Sequence, residues 1–91
     1  MKTVFKFALD AEDYVDVAMP AGAKILHVGG QMGRIYIWAL VDPNERQQLR
    51  RFRIAGTGHP ISDEESTLFY LGTIHLAGDA LIFHVFEVKP S

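Results

Sequence analysis

The chain has 91 residues, of which 48% are hydrophobic, enough to build one core but not two. Nine Lys and Arg against eleven Asp and Glu give a net charge of −2, without the positive bias of a protein that binds duplex nucleic acid. The absence of Cys excludes a disulfide framework, a thiolate zinc site and a cysteine nucleophile. We therefore expect one domain over residues 1–91.

Apolar and polar residues alternate along most of the chain, as expected for strands that bury one face. In chain order, the predicted strands are 4–8, 14–19, 24–28, 34–41, 52–55, 68–76 and 80–88. The run 34–41 is the longest apolar segment and is predicted to be the central strand. Gly72 predicts a bulge in the sixth strand.

Turn-forming residues separate these strands. The third strand is predicted to stop at Gly29 and Gly30, and residues 46–49 are predicted to form at most a short helical turn. Residues 62–66 are predicted to be a solvated loop, and 77–80 to be a hairpin that makes the last two strands antiparallel. The sequence thus predicts an all-β fold, a small antiparallel β-sandwich or partly open barrel of about seven strands.

Residues 1–7 alternate instead of forming the continuous apolar run of a signal peptide, and no stretch approaches the roughly 18 apolar residues of a membrane helix. We therefore expect no membrane partner and a protein that stays in the compartment where it is made. A chain this short has a thin stability margin, and this favours a homo-oligomer.

A cluster of arginines makes the segment 44–59 locally basic on an otherwise acidic chain. Its members are Arg46, Arg50, Arg51 and Arg53. Arginine forks pair with phosphate, and the adjoining glycine-rich turn can supply backbone N–H donors, so the segment suits a small phosphorylated ligand. The alternative is a solvated charged edge that prevents strand-to-strand aggregation.

The glycine-rich turn contains Thr57, Gly58 and His59. It is too short to be a Walker A loop, which excludes a nucleotide triphosphatase of that class. As an alternative to a ligand loop, its glycines serve only a tight turn, in which His59 is held extended because it precedes Pro60.

Four histidines, at positions 27, 59, 75 and 84, have no compact metal-ligand spacing, so we predict neither a metal nor another cofactor. The local pairs available for nucleophilic catalysis are Thr57 with His59 and Thr73 with His75. Neither has a recognisable oxyanion hole. We therefore expect a protein that is not an enzyme.

Trp38, Tyr36, Phe52 and Tyr70 are candidates to stack on a base or another ring. Trp38 lies in the most apolar run and is expected in the core, whereas Tyr36 or Tyr70 is expected to be partly exposed.

Four segments carry a resemblance that covers most of the chain. They are 19–26, 37–42, 52–59 and 83–87. Together they resemble a family of small tailed-phage proteins that has no assigned activity. The resemblance implies a phage protein in the host cytoplasm. By analogy with other small phage proteins, it implies an anti-defence role in which a cyclic or ADP-ribose-type nucleotide signal of host immunity is sequestered.

The leading hypothesis is therefore a non-enzymatic protein that binds a small phosphorylated, nucleotide-like ligand without turnover. The predicted ligand-binding residues are Arg51, Arg53, Thr57, Gly58, His59, Trp38 and Tyr70. A second hypothesis is a protein–protein inhibitor or accessory protein that uses the acidic runs 10–16 and 63–65 to bind a host or virion protein. A third is a small hydrolase that uses His59 or His75.

Overall fold

The structure is a computed structural model that describes residues 1–90. Its strands are β1 (Thr3–Leu9), β2 (Tyr14–Pro20), β3 (Lys24–Gln31), β4 (Arg34–Val41), β5 (Gln47–Gly56), β6 (Leu68–Leu76) and β7 (Leu81–Val88). One turn of 3₁₀ helix, Glu65–Thr67, precedes β6. Among residues 1–90, no helix has the length and apolar character needed to span a bilayer.

The strands form two antiparallel sheets. The three-stranded sheet has the order β1-β4-β3, and the four-stranded sheet has the order β2-β5-β7-β6. The two sheets pack face to face and do not close into a barrel. The prediction of an all-β antiparallel fold with about seven strands is confirmed, and of its two architectures the structure adopts the sandwich.

The core lies between the two sheets because alternate residues of each strand point inward. The three-stranded sheet contributes mainly odd-numbered residues of β4, which are Ile35, Ile37, Ala39 and Val41, all at most 1% exposed. The four-stranded sheet contributes Met19, Phe52, Ile54 and Val85. β4 lies between β1 and β3, which confirms that it is a central strand.

Two local predictions are wrong. Residues 47–49 are not a helical turn but the first part of β5, where Gln47 pairs with Pro20 and Leu49 with Ala18. Pairing with β2 overrides the weak local preference of this polar segment, as is common for strands. Gly29 and Gly30 do not end β3 either, because they pair with β4 opposite Tyr36 and Ile35.

The expected core position of Trp38 is also wrong. The odd-numbered residues of β4 point into the core, so its even-numbered residues, including Trp38, lie on the outer face of the three-stranded sheet, where the ring is half-buried. Phe52, predicted as a possible stacking residue, is instead fully buried in the core.

The two predictions made for the end of the chain are confirmed. β6 and β7 pair antiparallel around the turn at 77–80, and the register shifts between Tyr70 and Gly72, as a bulge requires. Ala77, Gly78 and Asp79 all have positive φ angles, so this turn uses the left-handed region over three successive residues.

Replacing Phe52 with Ala is expected to lower the free energy of unfolding by roughly 3–5 kcal/mol, because it opens a cavity at a fully buried position. Urea denaturation followed by circular dichroism measures this change. Phe69→Ala is the matched control, since the Phe69 ring is 54% exposed and its loss leaves the core intact. Equal destabilisation by the two substitutions would contradict the assignment of Phe52 to the core.

Candidate functional site

The structure places the seven predicted ligand-binding residues in four different locations. Arg51 lies in the part of β5 that pairs with β2 alone, and Arg53 lies beneath the loop that follows this strand. Three residues, Thr57, Gly58 and His59, form the turn after β5, and Thr57 connects to Tyr70 through a chain of hydrogen bonds. Trp38 lies on the outer face of the other sheet. The seven residues therefore do not surround one cavity.

Arg53 fastens the loop 57–67 to the four-stranded sheet. Its side chain is 7% exposed, and its Nε donates to Asp63 Oδ1 at 3.3 Å. The two terminal nitrogens donate to backbone carbonyls, Nη1 to Ile54 at 2.6 Å and Nη2 to Pro60 at 3.2 Å. Because these groups already occupy the guanidinium, we expect the loss of Arg53 to destabilise the fold.

Tyr14 completes the contacts of Asp63. The Tyr14 hydroxyl donates to Asp63 Oδ2 at 2.7 Å, and the Asp63 side chain is 11% exposed. Hydrogen bonds from Tyr14 and then Arg53 lower the pKa of Asp63, and the bond to Asp63 raises the pKa of Tyr14. Within the predicted solvated loop 62–66, Asp63 is therefore an anchored residue, whereas its neighbours Glu64 and Glu65 are exposed.

His84 on β7 links two threonines and a tyrosine. Its Nε2 lies 2.7 Å from Thr57 Oγ1, and its Nδ1 lies 2.9 Å from Thr73 Oγ1. The Thr73 oxygen in turn lies 2.6 Å from Tyr70 Oη. A threonine beside an imidazole is the pair that nucleophilic attack requires, but here the second nitrogen faces another hydroxyl instead of the orienting carboxylate of a triad.

Local sequence spacing did not reveal this chain of hydrogen bonds. It paired Thr57 with His59 and Thr73 with His75, whereas both threonines contact His84. The register of the sheet explains the difference, because His84 lies between β5 and β6, opposite Ala55 on one side and Thr73 on the other. The contact between Thr73 and His84 could have been predicted from the last hairpin, because the hairpin places residues 73 and 84 opposite each other.

The four histidines do not converge. Within residues 1–90, no group of three or more His, Asp or Glu side chains is arranged to hold a metal ion. His75 contacts Asp79 at 3.0 Å in the exposed hairpin, and His27 lies on the other sheet beside Trp38.

A groove lies at the end of the four-stranded sheet where β5 extends past its last pair with β7. The last β5–β7 pair is Phe52 with Glu87. Beyond it the chain continues beside β6 alone, where Val88 pairs with Leu68 and the Lys89 N–H donates to the Thr67 carbonyl at 2.8 Å. Within residues 1–90, positions 47–51 of β5 therefore pair with β2 alone. The groove has a volume of about 810 Å³.

Apolar and cationic side chains line this groove. Leu49 and Phe69 supply apolar surface and are 70% and 54% exposed. The Lys89 ammonium lies 4.3 Å from the centroid of the Phe69 ring. Arg51, with 54% of its side chain exposed, holds Asp16 at 2.9 Å, and this hydrogen bond lowers the pKa of Asp16.

Arg50 also borders the groove but is neutralised. It donates to Glu87 through Nε at 2.7 Å and through Nη2 at 2.8 Å, and its Nη1 donates to the Ala23 carbonyl. The two side chains are 18% and 16% exposed, so this bidentate pair closes the end of the sandwich. The positive charge offered by the groove therefore comes from Arg51 and Lys89.

The model of a family described as a domain of unknown function, DUF7352, matches residues 1–91. The chain belongs to this family. Neither the curated proteins nor the solved structures contain a match to this DUF7352 domain.

The anchoring of Asp63 makes the stability of the DUF7352 domain depend on pH. Because the folded protein lowers the pKa of Asp63, this carboxylate stabilises the fold above its ordinary pKa of about 3.9. The contribution is lost as the pH falls through the lower pKa of the folded state. We expect Asp63→Asn to lower the free energy of unfolding at neutral pH, with a difference from wild type that shrinks below about pH 4.

Urea denaturation at several pH values measures this difference. Glu65→Gln is the matched control, because Glu65 lies in the same loop and is exposed, and it should match wild type throughout. A pH-independent loss in Asp63→Asn would show that the carboxylate charge does not contribute.

Proposed function

We propose that this DUF7352 domain is a binding protein that holds a small phosphorylated ligand in the groove beside β5, without turning it over. The observation that carries the proposal is the pairing of two available cations, Arg51 and Lys89, with exposed apolar surface on Phe69 and Leu49. A volume of about 810 Å³ lies in the range of sites for small organic ligands.

Arg51 is suited to bind phosphate. Its partner Asp16 is 44% exposed, and an ion pair between two such exposed groups contributes little to stability. A phosphate that approaches from the groove can therefore compete for the guanidinium, whose planar fork matches phosphate oxygens in a bidentate arrangement. Arg53 is unsuited to this role because internal carbonyls and Asp63 hold its donors.

Phe69 offers a surface for a planar group such as a nucleobase. Its ring is more than half exposed, and Lys89 already lies over it as a cation over an aromatic face. A base that stacks on this ring would leave the Lys89 ammonium free to contact a phosphate. In this proposal Phe69 takes the stacking role that the sequence predicted for Trp38 or Tyr70, because Phe69 lines the groove together with Arg51 and Lys89.

The unpaired edge of β5 adds main-chain donors and acceptors. Residues 47–51 have a strand neighbour on one side only within residues 1–90, and each strand residue carries an N–H and a C=O that need partners. A ligand with hydroxyls or ring nitrogens meets these groups along the floor of the groove. This combination favours a nucleotide over a simple inorganic anion.

The resemblance to tailed-phage proteins supports a more specific form of the proposal. In this form the ligand is a cyclic or ADP-ribose-type signal of host immunity, and a homo-oligomer in the host cytoplasm sequesters it as an anti-defence protein. Stoichiometric binding requires no catalytic group at the groove.

Native mass spectrometry with a panel of cyclic and ADP-ribose-derived nucleotides tests the proposal. We expect one nucleotide to be retained and to be released with unchanged mass. A released ligand of altered mass would indicate a hydrolase, and the absence of any mass shift would overturn the nucleotide proposal in favour of a protein partner.

Calorimetric titration with the retained nucleotide then locates the site. Arg51→Ala and Phe69→Ala should each weaken binding by about tenfold or more, as expected for the loss of a charged hydrogen bond or a stacking surface. Arg46→Ala is the control, because Arg46 is also exposed and belongs to the same basic segment but does not line the groove. Equal effects of Arg51→Ala and Arg46→Ala would contradict the groove as the site.

A further inference from the structure

The outer face of the three-stranded sheet carries a group of adjoining aromatic rings, far from the groove in the fold. Tyr36 and Trp38 lie on β4 with their ring centroids 6.0 Å apart. The His27 ring on β3 lies 5.5 Å from that of Trp38. We refer to Tyr36, Trp38 and His27 as the aromatic platform.

Small residues flank Tyr36 on the outer face of the sheet. Its neighbours across the two flanking strands are Ala8 and Gly29. A β-carbon at position 29 would lie 2.8 Å from His27 Nε2 and 3.4 Å from Trp38 Cζ3, so the rings lie directly against the Gly29 backbone. The described part of the chain has two layers, with the second sheet on the other side, so no third layer covers these half-buried rings. Over Tyr36 lies the side chain of Lys6, whose ammonium donates to Gln31 Oε1 at 2.9 Å.

Basic side chains surround the platform. The Lys6 ammonium lies 4.6 Å from the centroid of the Tyr36 ring, and register places Lys24 and Arg34 on the same face. The nearby acids are at its margins, Asp10 at 3.5 Å from Arg34 and Asp42 just after β4. This face is therefore basic, although the chain has a net charge of −2.

We propose that the aromatic platform binds single-stranded nucleic acid, with unpaired bases stacked on Trp38 and Tyr36. Lys6, Lys24 and Arg34 then contact the phosphates. Rings on an open sheet flanked by cations are the two elements that single-strand binding requires. Lys6 has a flexible side chain, so its ammonium can move from the Tyr36 ring to a phosphate while a base takes its place.

The charges also exclude the other simple occupant of such a face, a second copy of it. Two identical faces brought together would oppose Lys6, Lys24 and Arg34 with the same three cations, and like charges in contact are unfavourable. Duplex DNA is unsuitable because its bases are already stacked and do not present their faces to the rings. A single strand provides both the negative charge and the exposed bases.

Trp38 is the one tryptophan in the chain, so its fluorescence reports on the platform directly. We expect an oligothymidylate of about eight nucleotides to quench this fluorescence at low salt. With three cations in contact, the logarithm of the affinity should fall with the logarithm of salt concentration with a slope of about −2. The same oligonucleotide annealed to its complement should quench little. No saturable quenching at low salt, or equal quenching by the duplex, would overturn the proposal.

Variants separate the platform from the groove. Lys6→Ala replaces an exposed side chain. It should make the slope of log affinity against log salt concentration smaller in magnitude by about 0.7. Trp38→Leu, followed by the anisotropy of a fluorescein-labelled oligothymidylate, should weaken binding by about tenfold. Arg51→Ala and Phe69→Ala should leave the oligonucleotide affinity unchanged. If these groove variants weaken it and Lys6→Ala does not, the platform proposal is wrong, whatever the nucleotide titrations show for the groove.

Discussion

The burial of Arg53 determines how the loop after β5 runs. Within residues 1–90 it is the one charged residue that is buried, and an unpartnered guanidinium there would cost several kcal/mol. The chain therefore returns across the sheet so that the Pro60 carbonyl and the Asp63 carboxylate can accept its N–H groups. Tyr14 on β2 then donates to Asp63, which connects the loop to a second strand. A short sandwich with a small core thus fastens its longest loop through one arginine.

This fastening gives the two ends of β5 different properties. At the end that carries the loop, Thr57 is fixed beside His84, and its polar contacts are satisfied within the protein. At the other end β7 stops pairing with β5 at Glu87 while it continues beside β6 to Val88, and β5 keeps an open edge. There a cation, Arg51, and exposed apolar side chains lie next to unpaired main chain. Of the two ends of β5, the end that the loop does not cover is therefore the one that presents groups without internal partners.

The sequence predicted where the strands lie, but not which side chains they bring together. Alternation with period two and the positions of glycine are local signals, so they located the strands, the bulge at Gly72 and the last hairpin. Pairing register is not local, and a shift of one residue would exchange the two faces. It decides that Arg50 faces Glu87 while Arg51 faces Asp16, although the two arginines are adjacent in a run that sequence reasoning treated as one cluster. It also decides that Trp38 points outward from an apolar strand.

Net charge was uninformative about partners for a related reason. The total of −2 sums over faces that the fold keeps apart, and several of the acids, such as Glu12, Glu64 and Glu65, lie in loops. Both sheets meanwhile expose cations beside aromatic rings, Lys89 over Phe69 on one and Lys6 over Tyr36 on the other. At physiological salt, charges beyond about 8 Å are largely screened. A phosphate at either surface therefore interacts more strongly with the neighbouring cations than with the acids in distant loops. A weakly acidic chain can in this way present two separate basic surfaces with aromatic rings, one on each sheet.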